Sequence, residues 1–171
     1  VYTKTIKING PLSTNAKFRF QSDAGDASDL VYIDAVIIKG YKTVPAGLLA
    51  GQDDAKKLVA GHYFETGWDG WSDGGGDCFR YKGNMSAEGQ YSIRLRNHSS
   101  ESSTMTSESF DLSTFRGAEI KFQFRANQME KGEHFRLEYF NGDSWYEAAT
   151  FTSGDHFINE DLYAATVILS G

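Results

Sequence analysis

The chain has 171 residues, of which 40% are hydrophobic and 14% aromatic, so its composition excludes a disordered protein and favours one folded domain. Its formal net charge of −6 argues against nucleic acid and anionic membranes as partners, because those surfaces need clustered lysine and arginine. No apolar stretch is long enough to span a bilayer, so we predict no membrane insertion. The single cysteine, Cys78, excludes a disulfide within the chain and is expected to be a small buried residue or to pair with another chain.

Alternation of apolar and polar residues predicts most of the secondary structure. The alternating segments are residues 17–21, 91–96, 120–125 and 135–139. Each segment places apolar side chains on one face and charged side chains on the other, which is typical of antiparallel strands with one face in water. Residues 31–38 are more uniformly apolar and predict a central strand. Asn141 to Asp143, between two strand-like runs, predicts a β-hairpin.

The segment 41–61 differs from the rest of the chain. It contains Pro45 and several alanines and leucines, and Asp53 is suited to cap a short helix that has Lys56 and Lys57 near its end. We therefore predict a linker, with one or two helical turns, between residues 1–40 and the main part of a domain at 62–171.

The first and last ten residues of the chain resemble one another. Residues 1–10 align without gaps with residues 162–171, with identical tyrosine, threonine and glycine positions. A cut through a tandem array with a period of 161 residues would give this match at the two ends. We therefore expect the chain to be an excerpt of a longer repetitive polypeptide or a processed product.

Several motifs resemble jelly-roll modules of extracellular proteins, among them MAM-like domains and carbohydrate-binding modules. Residues 63–71 (YFETGWDGW) and 88–95 (EGQYSIRL) resemble the opening of such modules. Residues 32–36 (YIDAV), which follow the alternating residues 18–20 and the acidic loop 23–29, resemble their ending. The resemblance implies a secreted, all-β, antiparallel jelly-roll β-sandwich whose final strands stand at the front of the chain.

Three arrangements are compatible with this displaced ending. The front strands complete the sandwich of their own chain in a permuted domain, that of the next chain, or that of a preceding repeat. Donation to the next chain is head-to-tail and builds a filament. We expect a non-catalytic structural or adhesive repeat protein that assembles with copies of itself. The alternatives are a carbohydrate-binding module of a secreted enzyme and a protease-associated C-terminal domain.

The resemblance also implies a calcium site. In the resembling modules a glutamate of the opening and an aspartate of the last strand meet at one metal, and Glu65 and Asp34 hold these positions. Asp23, Asp26 and Asp29 offer further oxygen ligands, and Ca²⁺ takes about six to eight. We predict a structural calcium ion at these residues, and the alternative is a solvated acidic turn with aspartate caps. Ala35 follows Asp34 where such modules often carry a second acid.

Two sets of residues point to glycans. Trp145 and Trp68 are candidates for stacking against a sugar, with core packing as the alternative, whereas Trp71 is expected in the core. Asn84 and Asn97 begin Asn-x-Ser tripeptides, the acceptors for N-glycosylation in a eukaryotic secretory route.

Catalytic motifs give no support for an enzyme. The four histidines lack the spacing of a zinc site, and the chain has no Gly-x-Ser-x-Gly elbow. We therefore predict a protein without catalytic activity.

Overall fold

The computed structural model describes residues 1–7, 12–42, 56–97 and 103–170. Within these ranges the chain forms twelve β-strands and no α-helix, and so the described part offers no helix that would cross a membrane. The strands are β1 (Tyr2–Lys7), β2 (Lys17–Asp23), β3 (Leu30–Tyr41), β4 (Lys56–His62), β5 (Trp71–Asp73), β6 (Cys78–Lys82), β7 (Tyr91–Arg96), β8 (Thr104–Ser107), β9 (Gly117–Asn127), β10 (His134–Phe140), β11 (Trp145–Thr152) and β12 (Leu162–Ser170).

The strands form two sheets that pack together. The seven-stranded sheet has the order β1-β12-β9-β3-β7-β6, with β4 also beside β3, and the five-stranded sheet has the order β11-β10-β2-β8-β5. All neighbouring strands are antiparallel except β1 and β12, which run parallel. Aromatic side chains from both sheets fill the core, among them Phe18, Phe20, Phe122, Phe124, Phe135 and Phe151. The predicted all-β class and the packing of two sheets as a β-sandwich are confirmed.

The alternating segments fall in strands, as predicted. β2, β7, β9 and β10 contain all four of them, and the inward residues of β2, Phe18 and Phe20, are fully buried. The predicted hairpin joins β10 to β11, where the Asn141 side chain accepts the backbone N–H groups of Asp143 and Ser144. Gly142 in this turn has φ +96°, a conformation that favours glycine.

The two strands of the displaced ending lie inside sheets of their own chain. β2 pairs with β10 on one side and with β8 on the other. β3 pairs with β9 on one side, while its other edge pairs with β7 at Leu30–Ile33 and with β4 at Val36–Tyr41. In this structure of one chain, β2 and β3 therefore pair with strands of their own chain, and donation to a neighbouring unit stays a prediction.

Strand β4 begins inside the segment for which a linker is expected. Residues 56–61 belong to β4, a strand, whereas a helix end was expected near Lys56 and Lys57. The reason is that β7 covers only half of one β3 edge, so β4 pairs with the remaining backbone groups. Asp53 and the rest of residues 43–55 lie outside the described residues.

Candidate functional site

Asp34, the first predicted metal ligand, is almost completely buried in β3. It is 1% exposed and precedes an irregularity in the pairing of β3 with β9, where Ala35 has φ +49°. Its Oδ2 accepts the N–H groups of Ala87 (2.8 Å) and Glu88 (3.0 Å), and its Oδ1 accepts that of Ala35 (2.7 Å). The carboxylate therefore fixes the loop between β6 and β7 against the middle of the sheet.

Glu65, the second predicted ligand, holds the same loop from the other side. Its Oε1 accepts the N–H groups of Gln90 (3.0 Å) and Tyr91 (2.9 Å). A Cβ at Gly89, where φ is +62°, would overlap this carboxylate, so the close approach requires glycine. Arg80 positions the Glu65 backbone by donating Nη2–H to its carbonyl oxygen at 2.7 Å.

Asp34 and Glu65 both accept N–H groups of the β6–β7 loop, and the electrostatics of Asp34 reflect the nearby charge. Burial, with a contribution from the negative charge of Glu65, raises the pKa of Asp34 above its ordinary value. The N–H groups of Glu88, Ala35 and Ala87, which point at Asp34, oppose this rise in its pKa. We call this arrangement of Asp34, Glu65 and residues 86–91 the carboxylate clamp.

The clamp offers few free ligands to a calcium ion. A carboxylate oxygen can accept two hydrogen bonds through its two lone pairs. Asp34 Oδ2 and Glu65 Oε1 each accept two N–H groups, whereas Asp34 Oδ1 and Glu65 Oε2 each accept one and keep one lone pair free. Within the described ranges no group of three or more His, Cys, Asp or Glu residues would hold a metal. The clamp thus explains these two acids as supports of a loop, and calcium binding there stays a prediction.

The other three predicted ligands do not join the clamp. Asp29 stands five residues before Asp34, about 16 Å away along an extended strand. Asp29 instead accepts the N–H of Asp26 (2.7 Å), and Asp26 accepts that of Ser28 (2.6 Å), as capping aspartates do in a turn. Asp23 lies at the end of β2 beside His134. The described contacts therefore do not bring these three residues to the clamp, and a calcium site that includes them stays a prediction.

Trp145 lies on the solvent side of the five-stranded sheet. It is partly exposed at the start of β11, opposite Phe140, whose ring centroid is 5.2 Å away. The Arg19 guanidinium carbon lies 4.2 Å from the Trp145 ring centroid. Trp71 is a core residue, as expected, with 4% exposure, and Trp68 packs partly buried against the core.

Polar side chains continue from Trp145 across the same face. Cross-strand partners share a face, and these residues alternate with the buried residues of β2 and β10. We call the set the five-stranded face, which consists of Arg19, Gln21, Asp23, His134, Arg136, Glu138, Phe140 and Trp145.

The charges on the five-stranded face are paired with one another. Arg19 Nε donates to Glu138 Oε2 at 2.6 Å, and Arg136 Nε lies 3.6 Å from Glu138 Oε1. Asp23 Oδ2 lies 3.0 Å from His134 Nε2 and 3.7 Å from Arg136 Nη1. The sequence predicts only that these charged side chains face solvent, because the pairing of β2 with β10 cannot be read from it.

The remaining candidates have simple environments. Asn84 is exposed in the β6–β7 loop, whereas the Asn97 amide donates to Asp77 (3.4 Å) at the end of β7. Cys78 is buried, and burial raises the pKa of its thiol to about 12, so it stays protonated and unreactive. His62 is buried as well, with Nδ1 2.7 Å from the carbonyl oxygen of Asp69.

These features define an all-β sandwich with a carboxylate clamp at one loop and an ion-paired polar face on its smaller sheet. Comparison with protein-family models, with curated proteins and with solved structures gave no match.

Proposed function

We propose that the chain is a non-catalytic extracellular binding module of the jelly-roll type that holds a carbohydrate on the five-stranded face, at Trp145. One observation carries this proposal: a partly exposed tryptophan adjoins a fixed row of hydrogen-bonding side chains on a single face. Binding sites commonly combine apolar or aromatic surface with a few precisely placed polar groups.

The polar groups of this face suit sugar hydroxyls. Arg19 and Arg136 supply planar donors, while Glu138 and Gln21 supply acceptors. Arg19 also joins the aromatic end to the polar end, because it lies over Trp145 and donates to Glu138. Since their charges are paired within the face, we expect a neutral glycan.

A glycan array followed by titration calorimetry tests this function. The protein is expected to bind a neutral glycan, and Trp145→Ala is expected to weaken that binding at least tenfold. Tyr63→Ala is the matched control, because Tyr63 is another exposed aromatic, 41% accessible, remote from this face in sequence and outside both sheets. Equal weakening by both variants, or no binding to any glycan, would contradict the proposal.

A second candidate is a structural or adhesive repeat that assembles head-to-tail. The observation that favours it is β1, which is similar in sequence to β12 and lies parallel beside it at the edge of the seven-stranded sheet. An edge strand offers backbone groups to another chain. Sedimentation over a wide concentration range is expected to show growing assemblies, and electron microscopy is expected to show filaments. A monomer at every concentration would rule this candidate out.

A further inference from the structure

One row of side chains crosses five strands on the solvent side of the seven-stranded sheet. The register places Phe79 (β6) opposite Arg94 (β7), Arg94 opposite Tyr32 (β3), Tyr32 opposite Arg125 (β9), and Arg125 opposite Leu162 (β12). Partners in register share a face. Since the neighbours of Tyr32 in β3, Val31 and Ile33, point into the core, this row points away from it. We call these five residues the cationic row.

Arg94 is held in place by aromatic neighbours and has no ion pair. Its guanidinium carbon lies 3.6 Å from the centroid of Phe79, and Tyr32 stands opposite it in β3. Among the described residues no carboxylate lies within ion-pair distance of it, and its Nε is buried without a hydrogen-bond partner. Burial accordingly lowers the pKa of Arg94, although the side chain stays charged.

Arg125 repeats this situation on the other side of Tyr32. Its Nε is also buried without a partner, and within the described ranges it forms no ion pair. The acid on this face in β3, Asp34, accepts N–H groups of the clamp instead. Neither guanidinium has a carboxylate within ion-pair distance among the described residues, so both positive charges favour an anion supplied from outside.

Arg96 differs from Arg94, although both belong to β7. It belongs to the same strand as Arg94, two residues further on, and its Nε lies 3.1 Å from Asp77 Oδ1. Within the described part of the chain Arg80 also has no ion pair, but it donates to the backbone carbonyl oxygens of Phe64 and Glu65. Arg94 and Arg125 instead stand on one face of the sheet without an acidic partner among the described residues, and this arrangement is electrostatically complementary to an anionic ligand.

We propose that the cationic row is a second binding site, distinct from that of Trp145, for an acidic polysaccharide. Arg94 and Arg125 are two strands apart, about 10 Å, so each would hold one carboxylate or sulfate of a chain that carries a charge on alternate sugars. Phe79 and Leu162, which are 36% and 44% exposed, flank the two charges with apolar surface for the sugar rings.

The position of the row favours a polysaccharide over an acidic peptide. An extended peptide gains affinity by main-chain pairing at a sheet edge. The two arginines instead stand on β7 and β9, which each pair with a strand on both sides. A ligand that crosses them meets side chains alone, which suits a sugar chain with anionic groups.

Binding of the intact protein to immobilised dextran sulfate and polygalacturonate, with uncharged dextran as a blank, tests this site. The wild type is expected to bind both anionic polymers at low salt and to lose binding as salt screens the charges. The double variant Arg94→Gln/Arg125→Gln is expected to bind at least tenfold more weakly. Arg96→Gln, which removes the same charge from an ion-paired position, is expected to bind like the wild type.

Two further variants and a comparison with polyglutamate distinguish loss of the site from poor folding, from binding at Trp145 and from peptide binding. Arg94→Lys/Arg125→Lys retains the charge, so it is expected to keep part of the binding even if the glutamine variant folds poorly, a point that circular dichroism checks. Trp145→Ala is expected to leave this binding unchanged, which separates the row from the carbohydrate site proposed above. Equal loss in Arg96→Gln, loss in Trp145→Ala, or preferential binding to polyglutamate would overturn the assignment, the last in favour of an acidic peptide.

Discussion

The solvent-facing sides of the two sheets carry arginines in contrasting states. On the five-stranded face, Arg19 and Arg136 lie beside Glu138 and Asp23. On the seven-stranded sheet, Arg94 and Arg125 flank a tyrosine and have no carboxylate among the described residues. The arginines are therefore ion-paired on the five-stranded face, whereas those of the cationic row have no carboxylate partner among the described residues.

This contrast predicts that the two sets of arginines contribute differently to the stability of the β-sandwich. A charge whose partner lies in the same sheet stabilises the fold, and removing the partner leaves it uncompensated. A charge without a partner adds little to stability and is available to a ligand. Removing an ion-paired arginine of the five-stranded face should therefore cost more stability than removing an arginine of the cationic row.

The largest effect is expected at the carboxylate clamp, which occupies the seven-stranded sheet beside the cationic row. Asp34→Asn should lower the free energy of unfolding at pH 7 by about 3 kcal/mol, because the amide NH₂ faces backbone donors and charge-assisted hydrogen bonds are lost. Urea unfolding measures this change, and Glu88→Gln, an exposed acid of the same loop, is the control. A loss equally large in the control would show that the loop, and not Asp34, is sensitive.

The same variant predicts a change with pH. Because the folded pKa of Asp34 is raised, the folded chain holds this proton more tightly than the unfolded chain. The stability that Asp34 contributes by binding this proton is therefore lost as pH rises from the ordinary aspartate pKa through the raised pKa of the folded state. Unfolding followed across this interval should show a falling contribution in the wild type that is missing in Asp34→Asn. Parallel pH profiles of the two proteins would contradict it.

A somewhat smaller effect is expected on the five-stranded face. Glu138→Gln should cost about 2 kcal/mol, because Arg19 and Arg136, both mostly buried, lose their shared counter-charge. Glu147→Gln is a close control, since Glu147 stands directly opposite Glu138 in β11 but is exposed. Thermal unfolding should show a clear decrease for the first variant and almost none for the second.

A still smaller effect is expected at the cationic row. Arg94→Gln should cost less than about 1 kcal/mol, chiefly the cation–π contact with Phe79, because no carboxylate is left unpaired. Arg136→Gln on the opposite face should cost more, since it leaves Asp23 and Glu138 with one partner fewer. If urea unfolding shows a larger loss of stability for Arg94→Gln than for Arg136→Gln, the predicted difference between the two faces is wrong.

The smallest effect concerns calcium. If Ca²⁺ binds at the free lone pairs of Asp34 and Glu65, a concentration equal to its dissociation constant should stabilise the fold by about 0.4 kcal/mol. Thermal unfolding with added Ca²⁺ and then with a chelator measures this, and Glu65→Gln should abolish the difference. If millimolar Ca²⁺ does not shift the unfolding temperature, the prediction of calcium binding at the clamp is wrong.

The sequence predicted the site residues only in part. Glu65 and Asp34 were paired by their motifs, and the structure brings them to one loop. The acidic loop with Asp23, Asp26 and Asp29 predicts further ligands because it is dense in carboxylates, yet the extended strand β3 carries Asp29 away from Asp34. Arg94 and Arg125 were not recognised at all, since 31 positions separate them and only the central position of β3 brings them together.

What the sequence determined by itself was the set of strands and their two faces, because a period of two places apolar side chains on one side of any strand. The hairpin at Asn141 to Ser144 was fixed in the same local way. Only the tertiary structure decided which strands β2 and β3 pair with, and which arginines meet a carboxylate. Those outcomes depend on strand order and register, which arise from contacts between distant segments and have no local signature.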